Sequence, residues 1–387
     1  MKKWFSHFDA KSLGLGLAIF SMFFGAGNII FPLALGLHSG DKAPSAVLGL
    51  VVTAVIMPVA GVIAMLMYGG DYRQFFGRLG RIPGLILATA TICLLGPFGG
   101  TPRCIALSFS TLKTVFTGLD LTLFCAAACC LLFIACVRRS RILDILGWGL
   151  TPVLLGLLLW VITLGFMTPS TASISPDAHL TVFLNGLSEG YNTMDLLAAF
   201  FFSSMVITLH RANAQQTDST SQFRVVLHGS LIGSVLLACV YVGFSLLASL
   251  HGHGLSVHGT EELLAAISSK IAGPYAGAMV CVIVAVACFT TALALLTAFS
   301  DFIHKEILGQ RGRYEWVLAA GVLMTFVVST LEFRGIAAFL GPVLQVCYPG
   351  LIVLTMLNIL HRWKGLQSVK TPVVATFAAS TVLRMIS

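Results

Sequence analysis

The residues of this chain that are best suited to binding chemistry lie in the middle of its first apolar stretch. Between Lys11 and Lys42 the only charged side chain is Asp41, and the stretch is interrupted by Phe24-Gly25-Ala26-Gly27-Asn28-Ile29-Ile30-Phe31-Pro32. Glycine is a poor helix former even in apolar surroundings, and peptide groups that are freed inside a bilayer need new partners. The pattern therefore predicts a membrane helix that opens at its centre around a solute or an ion.

The groups in that segment suit a small anion on one side and a cation on the other. Amides at Gly25–Gly27, at the start of a helix, suit a carboxylate. The carbonyls of Ser21 and Phe24 and the side-chain oxygen of Asn28 suit a hard cation. The alternative is a Gly-x-Gly face that lets two helices pack closely. The adjacent Asn and Pro favour the opened helix over close packing.

Two other sets of polar residues lie inside apolar segments. Thr290 and Thr291 offer two hydroxyls that could complete a sodium site, or that bond to the carbonyl groups of their own preceding turn. Arg103 follows the run Gly96-Pro97-Phe98-Gly99-Gly100-Thr101-Pro102. A buried charge there is costly and usually paired, so we expect a pair with Glu189 or Asp195 that shapes an outer gate. The alternatives are an Arg103 side chain extended to the interface, and an Asp195 that caps a half-helix or carries a proton.

Composition places these residues in an all-α protein that crosses the membrane many times. Hydrophobic residues make up 57% of the chain and charged residues 10%, whereas an ordinary soluble domain has roughly a quarter charged. Apolar stretches long enough to span a bilayer define a single transmembrane domain over residues 1–387, with about 11 spans. The predicted spans are 12–37, 44–69, 83–110, 120–137, 142–167, 186–210, 225–250, 273–303, 315–331, 336–361 and 371–386.

The positive charges predict the orientation of these spans. Of the 23 Lys and Arg residues, 17 lie in segments that fall on one side. Cytoplasmic loops carry such an excess, so we expect the N-terminus to be cytoplasmic and the C-terminus periplasmic. The net charge of +8 needs no nucleic-acid partner. The positively charged segments are 1–11, 70–82, 138–141, 211–224, 304–314 and 362–370.

The first ten spans divide into two sets of five, 12–167 and 186–361, with 371–386 as an additional helix. Five is odd, so the second set enters the membrane with the opposite orientation. Its first span is also interrupted, by small and polar residues from Gly186 to Asp195. Spans one and six are therefore equivalent, discontinuous members of an inverted repeat, which is typical of the central site of a transporter.

The outer connections and the other motifs add little chemistry. Thr260–Ile267 predicts a short outer helix, because a good N-cap precedes two acids. The three histidines of the same loop favour a solvated loop over a transition-metal site. We find no hydrolase or ATP-binding motif, so we expect no enzymatic activity.

Three motifs resemble those of the bacterial branched-chain amino acid:cation symporters: residues 24–32, 96–103 and 190–195. That family is similar to the leucine-transporter type of fold. The resemblance implies sodium-coupled uptake of leucine, isoleucine and valine across the inner membrane, with no cofactor besides the coupling ion. By position, Gly25, Ala26 and Gly27 would meet the substrate carboxylate. Asn28 would bind a sodium ion beside it, and Ser21, Phe24, Thr290 and Thr291 would bind a second one.

The resemblance leaves some features open. Family members usually have twelve helices, and we expect transport to survive without the twelfth, which lies outside the ten-helix core. Ala198-Ala199 stands where a glycine is expected, so the position of the break in span six is undetermined. We expect the substrate ammonium to meet span six carbonyls and its side chain to pack on Phe200 and Phe201. The rival functions are a proton-coupled or exchange-type carrier on the same fold, and an ion channel.

Overall fold

The computed structural model describes residues 10–137, 151–213, 219–255, 259–365 and 368–386, and these ranges contain helices and connections but no strand. Short 3-10 turns cover Gly40–Lys42, Gly77–Leu79 and Thr260–Glu262, and π-helical segments cover Val52–Ile56 and Ile303–Ile307. In chain order the α-helices of these ranges are α1 (Ala10–Phe23), α2 (Ala26–Ser39), α3 (Ala43–Val51), α4 (Met57–Met67), α5 (Tyr72–Phe76), α6 (Arg81–Leu95), α7 (Gly100–Lys113), α8 (Leu121–Val137), α9 (Thr151–Met167), α10 (His179–Asn192), α11 (Asp195–Asn213), α12 (Ser219–His251), α13 (Leu263–Ala272), α14 (Pro274–Phe302), α15 (Tyr314–Ser329), α16 (Glu332–Lys364) and α17 (Lys370–Ile386).

Several of these helical segments are long and apolar enough to cross a membrane. Within the described ranges five qualify by length and composition: Ala26–Met67, Arg81–Lys113, Phe223–His251, Pro274–Ile307 and Glu332–Lys364. Shorter apolar helices are Ser12–Phe23, Leu121–Val137, Thr151–Met167 and Tyr314–Ser329. The described part of the chain therefore has the helical, polytopic character that its composition predicts.

The 42-residue segment from Ala26 to Met67 accounts for half of span one and all of span two. As one rod it would be about 63 Å long, roughly twice the hydrocarbon core. It turns back at Gly40, which has a φ of +52°. A β-carbon there would also lie 2.2 Å from the Ser173 carbonyl oxygen, so glycine is required at this turn.

Most predicted spans correspond to observed helices, with shifted ends. Span six begins at His179, seven residues before the predicted start, so the outer connection before it is shorter than expected. The short outer helix predicted near Thr260 is present as a 3-10 turn followed by α13. The predicted start of span five, and the charges at 138–141, lie outside the described residues, as do the charges at Lys2 and Lys3.

The expectation that spans one and six are discontinuous is confirmed. Span one is broken between Phe23 and Ala26, and span six between Asn192 and Asp195. Span three is broken as well, because turns at Gly96–Gly99 separate α6 from α7. That third break is absent from the sequence-based prediction, although the glycine and proline run at 96–102 was the signal for it.

The helix contacts form the same pattern when spans one to five are exchanged with spans six to ten. The two halves of span one pack on span seven (α12), and the two halves of span six pack on span two (α3 and α4). Spans three and eight pack on each other, as do spans four and nine. Exchanging each span with the one five places later maps these pairs onto one another. The arrangement places the breaks of spans one and six side by side.

Candidate functional site

At the break in span one, the Asn28 side chain accepts a hydrogen bond from a main-chain amide that the break frees. The Phe24 amide still donates to the Phe20 carbonyl at 2.8 Å, and Gly25 is extended, with φ −123° and ψ −161°. The Gly25 amide donates to Asn28 Oδ1 at 3.1 Å. Further along α2, Pro32 has no amide hydrogen for the carbonyl group of Asn28. The break therefore frees part of the main chain of α2 in its first turns.

The break in span six is held by side chains from spans three and ten. Met194 adopts a φ of +66°, which is uncommon for a residue with a side chain and costs free energy. Arg103 Nη1 donates to the Asn192 carbonyl at 2.9 Å. The Leu196 amide donates to the Tyr348 hydroxyl at 3.0 Å. Ala198 and Ala199 lie within the continuous helix α11, so the break precedes them.

The two breaks touch. A β-carbon built on Gly27 would lie 3.2 Å from Thr193 Cα and 3.3 Å from the carbonyl oxygens of Asn192 and Thr193. Glycine at position 27 therefore allows the main chain of α2 to approach the broken main chain of span six. The close approach brings Asn28 and Asp195 together across the interface.

Asn28, Asp195 and Tyr241 form a buried cluster between the breaks, each at most 2% exposed. Asn28 Nδ2 donates to Asp195 Oδ1 at 2.7 Å and also to the Tyr241 hydroxyl. The Tyr241 hydroxyl donates to Asp195 Oδ2 at 2.5 Å. Spans one, six and seven thus meet at one carboxyl group, which the sequence alone did not show.

The Gly25 amide fixes the orientation of the Asn28 side-chain amide in this cluster. The Gly25 amide can only donate, so it fixes Asn28 Oδ1 as the acceptor and Nδ2 as the donor. With one Nδ2 hydrogen directed at Asp195 and the other at Tyr241, the Tyr241 hydroxyl directs its own hydrogen at Asp195. In this arrangement both Asp195 oxygens act as acceptors.

A second group of oxygens joins spans one and eight beside the break. Thr291 Oγ1 donates to the Ser21 carbonyl at 3.1 Å and to the Phe24 carbonyl at 2.9 Å. Thr290 Oγ1 donates to the Ala287 carbonyl of its own preceding turn at 2.8 Å. Positions 287, 290 and 291 share one face of α14. The structure therefore brings Thr291, Ser21 and Phe24 together and adds the Ala287 carbonyl, which sequence reasoning missed.

The predicted role of Asn28 as a sodium ligand stays a prediction. Its Oδ1 atom accepts the Gly25 amide and its Nδ2 atom faces Asp195. One lone pair of Oδ1 therefore remains for an ion, whereas the Nδ2 atom offers none.

Arg103 forms no direct ion pair with Glu189 or Asp195 in the described residues, although Glu189 lies close enough to interact with it electrostatically. The guanidinium bonds to the Asn192 carbonyl and to Met194 Sδ, and it lies over the rings of Phe31 and Phe333. Glu189 accepts instead from Asn192 Nδ2 at 3.0 Å, and Asp195 from the cluster described above. At 2% exposure, Arg103 does not reach the interface either.

Phe200 and Phe201, the predicted contacts of the substrate side chain, are both fully buried on α11, about one and a half turns beyond Asp195. They pack against other aromatic rings, so they form part of an aromatic cluster at the predicted inner side. The rings in that cluster are Tyr72, Phe75, Phe76 and Phe302.

Cavities lie on opposite sides of the buried breaks. One of about 280 Å³ is lined by Phe31, Glu189, Asn192 and residues of α16. The other, of about 270 Å³, is lined by Tyr72, Arg73, Phe302 and Glu306 among others. Arg73 Nε lies 2.5 Å from Glu306 Oε2 at that second cavity, and this contact raises the pKa of Arg73.

The histidines of the outer loop make separate contacts. His251 Nε2 lies 2.9 Å from the Gly165 carbonyl, and His253 contacts the Leu37 carbonyl at 3.1 Å; the third, His258, lies outside the described residues. Across the described ranges, His, Cys, Asp and Glu form no group of three that could hold a metal ion.

Comparison with known proteins identifies relatives of this chain. The model of the family described as branched-chain amino acid transport protein matches residues 9–387. The branched-chain amino acid permease BrnQ of Corynebacterium glutamicum is 32% identical over 375 residues, covering 92% of this chain and 84% of the relative. BrnQ of Bacillus subtilis is 31% identical, covering 91% and 81%. The branched-chain amino acid transport system 2 carrier protein of Pseudomonas aeruginosa is 30% identical, covering 93% and 83%.

Solved transporter structures share the fold. Mhp1, a nucleobase-cation-symport-1 family transporter, superposes in a closed conformation with a TM-score of 0.62 at 12% identity, covering 96% of this chain and 91% of Mhp1. The inward-facing conformation of Mhp1 gives a TM-score of 0.60, covering 91% of this chain and 77% of Mhp1. A manganese transporter of Eremococcus coleocola gives 0.54 at 13% identity, covering 97% and 85%. Together these comparisons show the leucine-transporter type of fold.

Proposed function

Because this chain belongs to the branched-chain amino acid transport protein family, we propose that it is a sodium-coupled symporter that imports leucine, isoleucine and valine across the bacterial inner membrane. The observation that carries the choice of ion is the meeting of Thr291 Oγ1 with the Ser21 and Phe24 carbonyls. Hard oxygen ligands from two spans are what sodium needs. In the ion-bound state the hydroxyl turns its lone pairs toward the ion.

The remaining ligands of that sodium site come from the same face of α14. Thr290 Oγ1 and the Ala287 carbonyl lie 2.8 Å apart and follow the same helix face as Thr291. Sodium would therefore link α14 to the break of span one. Such a link favours the arrangement in which α1 is docked on span eight, so the ion controls the geometry of the substrate site.

The substrate would bind where the two breaks meet. Its carboxylate suits the N-terminus of α2 at Ala26 and Gly27, since amides and the helix dipole favour an anion there. Aromatic rings near the break supply apolar contacts for a branched side chain. Phe23 meets Phe202 at a ring distance of 5.5 Å, and Phe24 meets Phe244 at 6.4 Å. These rings replace Phe200 and Phe201 as the proposed apolar contacts.

Alternating access would connect this site to each cavity in turn. The cavity beside Phe31 and Glu189 would be the outer path, and the one beside Arg73 and Glu306 the inner path. Opening inward would separate Arg73 from Glu306, which join the loop after span two to the end of span eight.

Uptake by the purified protein in proteoliposomes tests this proposal. Labelled leucine should accumulate when an inward sodium gradient is imposed, and should fall to background when choline replaces sodium at fixed pH. Isoleucine and valine should compete, whereas lysine and glutamate should not. Accumulation that is equal in sodium and in choline would contradict the choice of ion.

Proton coupling on the same fold is the second candidate, because a buried carboxyl group, Asp195, lies between the breaks. In that case an inward pH gradient should drive leucine accumulation without sodium. The group of oxygens around Thr291 favours the sodium-coupled function, because hard oxygen ligands suit sodium.

A further inference from the structure

We propose that the Asp195 carboxylate binds the α-ammonium group of the transported amino acid, an inference that rests on the transport function proposed above. The sequence-based expectation assigned the ammonium to span six carbonyls alone. The structure places a charged group at the same break.

The first support is the missing counter-charge of Asp195. The side chain is 1% exposed, and a buried carboxylate without a cation is costly. Among the described residues no Lys, Arg or His forms an ion pair with it, and the nearby Arg103 bonds to Asn192 and Met194 instead. The partners of Asp195 are the neutral side chains of Asn28, Tyr241 and Thr193. A cation that arrives with the cargo would supply the missing charge.

The second support is unused acceptor capacity. A carboxylate offers about four lone-pair positions on its two oxygens. Each Asp195 oxygen accepts one bond from the cluster, and even with the nearby Thr193 hydroxyl at least one position remains. An ammonium group carries three donors. Asp195 is also the first residue of α11, where the helix dipole stabilises the carboxylate in the empty state.

The third support is the distance between the two breaks. In an α-amino acid the carboxylate and the ammonium are attached to the same carbon, so their binding groups must be adjacent. Gly27, at the N-terminus of α2, packs directly against Thr193, two residues before Asp195. An anion-binding helix end and a carboxylate therefore lie side by side, which matches one zwitterion.

The neighbours of Asp195 favour an ammonium over a sodium ion. Sodium needs several oxygen ligands, but Asn28 and Tyr241 present hydrogen-bond donors to this carboxylate. The oxygens that suit sodium are grouped instead around Thr291. Asn28 and Tyr241 are thus positioning residues that hold the carboxylate until the substrate displaces or supplements them.

The test compares the wild type with a variant at Asp195, each with leucine and with a leucine analogue that lacks the ammonium group. Binding of leucine and of 4-methylpentanoate, which is leucine without its ammonium, is measured by calorimetry on the full-length protein in sodium. The wild type should prefer leucine by roughly 100-fold, the scale of a buried charge-assisted hydrogen bond. Asp195→Asn should reduce that preference to less than about tenfold, mainly by weakening leucine. Asp120→Asn, an exposed acid at the start of α8 that caps the helix through Leu123, is the matched control and should keep the full preference.

Each other outcome has a defined meaning. If Asp195→Asn keeps the wild-type preference, or weakens both ligands equally, the inference is wrong. If it changes only the sodium or the proton dependence of leucine binding, Asp195 binds the coupling ion instead and the inference is wrong. If the wild type binds no branched-chain amino acid, the proposed transport function itself fails.

A second variant covers the case in which Asp195→Asn does not fold. Asp195→Glu keeps the charge but moves the carboxylate by one methylene. Asp195→Glu should weaken leucine binding at least fivefold and leave the binding of 4-methylpentanoate unchanged. Equal weakening of both ligands by Asp195→Glu would overturn the inference.

Discussion

Replacing Thr291 by valine removes the hydroxyl that joins spans one and eight and keeps the shape of the side chain. The methyl group of Thr291 packs on Gly25, since a β-carbon on Gly25 would lie 2.8 Å from Thr291 Cγ2. Alanine would leave a gap there, so Thr291→Val isolates the oxygen atom. The proposed sodium site then loses one ligand while the contact between the helices persists.

The magnitude follows from the interaction that is lost. A hydrogen bond or contact to a charged group contributes about 1.5–3 kcal/mol, which corresponds to roughly 10- to 150-fold in apparent sodium affinity. In the empty wild type the same hydroxyl donates to the Ser21 and Phe24 carbonyls. The empty variant loses those bonds too, and this loss offsets part of the effect. We therefore expect a rise of about tenfold in the sodium concentration that gives half-maximal leucine uptake.

The assay is leucine uptake in proteoliposomes over a series of sodium concentrations, with choline to keep ionic strength and with pH fixed. Thr291→Ser, which retains the hydroxyl, should stay within about threefold of wild type. Thr325→Val is the matched control, because that buried hydroxyl bonds only within its own helix, to the Gly321 carbonyl at 2.8 Å. An unchanged sodium dependence in Thr291→Val, or an equal change in Thr325→Val, would refute the assignment.

The other predictions concern the breaks and the inner side. Gly27→Ala should weaken leucine binding several-fold and Gly27→Leu should abolish it, because a β-carbon at position 27 would lie 3.2 Å from span six. Gly156→Leu is the control: a β-carbon at position 156 has no atom within 4 Å, so this variant should bind leucine normally by calorimetry. Arg103→Met should slow uptake at least tenfold, because the break of span six loses the bond from Arg103 to the Asn192 carbonyl. It should change the unfolding free energy little, since among the described residues no acid forms an ion pair with that buried charge; a large loss of thermal stability with normal uptake would contradict this. Arg73→Gln and Glu306→Gln should each leave the free energy of unfolding almost unchanged, because exposed ion pairs contribute little, and their double-mutant cycle in denaturant should show almost no coupling.

The sequence predicted the break in span one because its cause is local. Gly25 and Gly27 lie within an otherwise apolar helix, and each has a steric reason to be glycine: one against Thr291, the other against Thr193. Apolar length and the alternation of charged loops likewise predicted most of the spans. These features depend on composition and spacing, which can be read without tertiary contacts.

The position of the break in span six could not be predicted because its cause is tertiary. Met194 has no intrinsic preference for positive φ, and the break is held by Arg103 and Tyr348 from other spans. The absence of glycine at Ala198 and Ala199 was therefore uninformative.

Side-chain partners were predicted least well. Asn28 and Asp195 were each expected within an apolar span, and both are buried, but their mutual bond joins residues 167 positions apart. Arg103 was expected to seek an acid, whereas a main-chain carbonyl and aromatic faces satisfy it in part. Phe200 and Phe201 lie on the predicted helix, but their side chains pack against the aromatic cluster of Tyr72, Phe75, Phe76 and Phe302. In each case the direction of a side chain depends on helix packing that the sequence does not show.

The most direct test of the account is a cryo-electron microscopy map of the protein with leucine, in sodium and in choline. In sodium we expect an interrupted main chain at Phe24–Gly25, ligand density between Gly27 and Asp195, and an ion peak beside Thr291. In choline the ion peak should be absent and the ligand density weaker. A continuous helix through Gly25, or leucine density bound away from both breaks, would contradict the account.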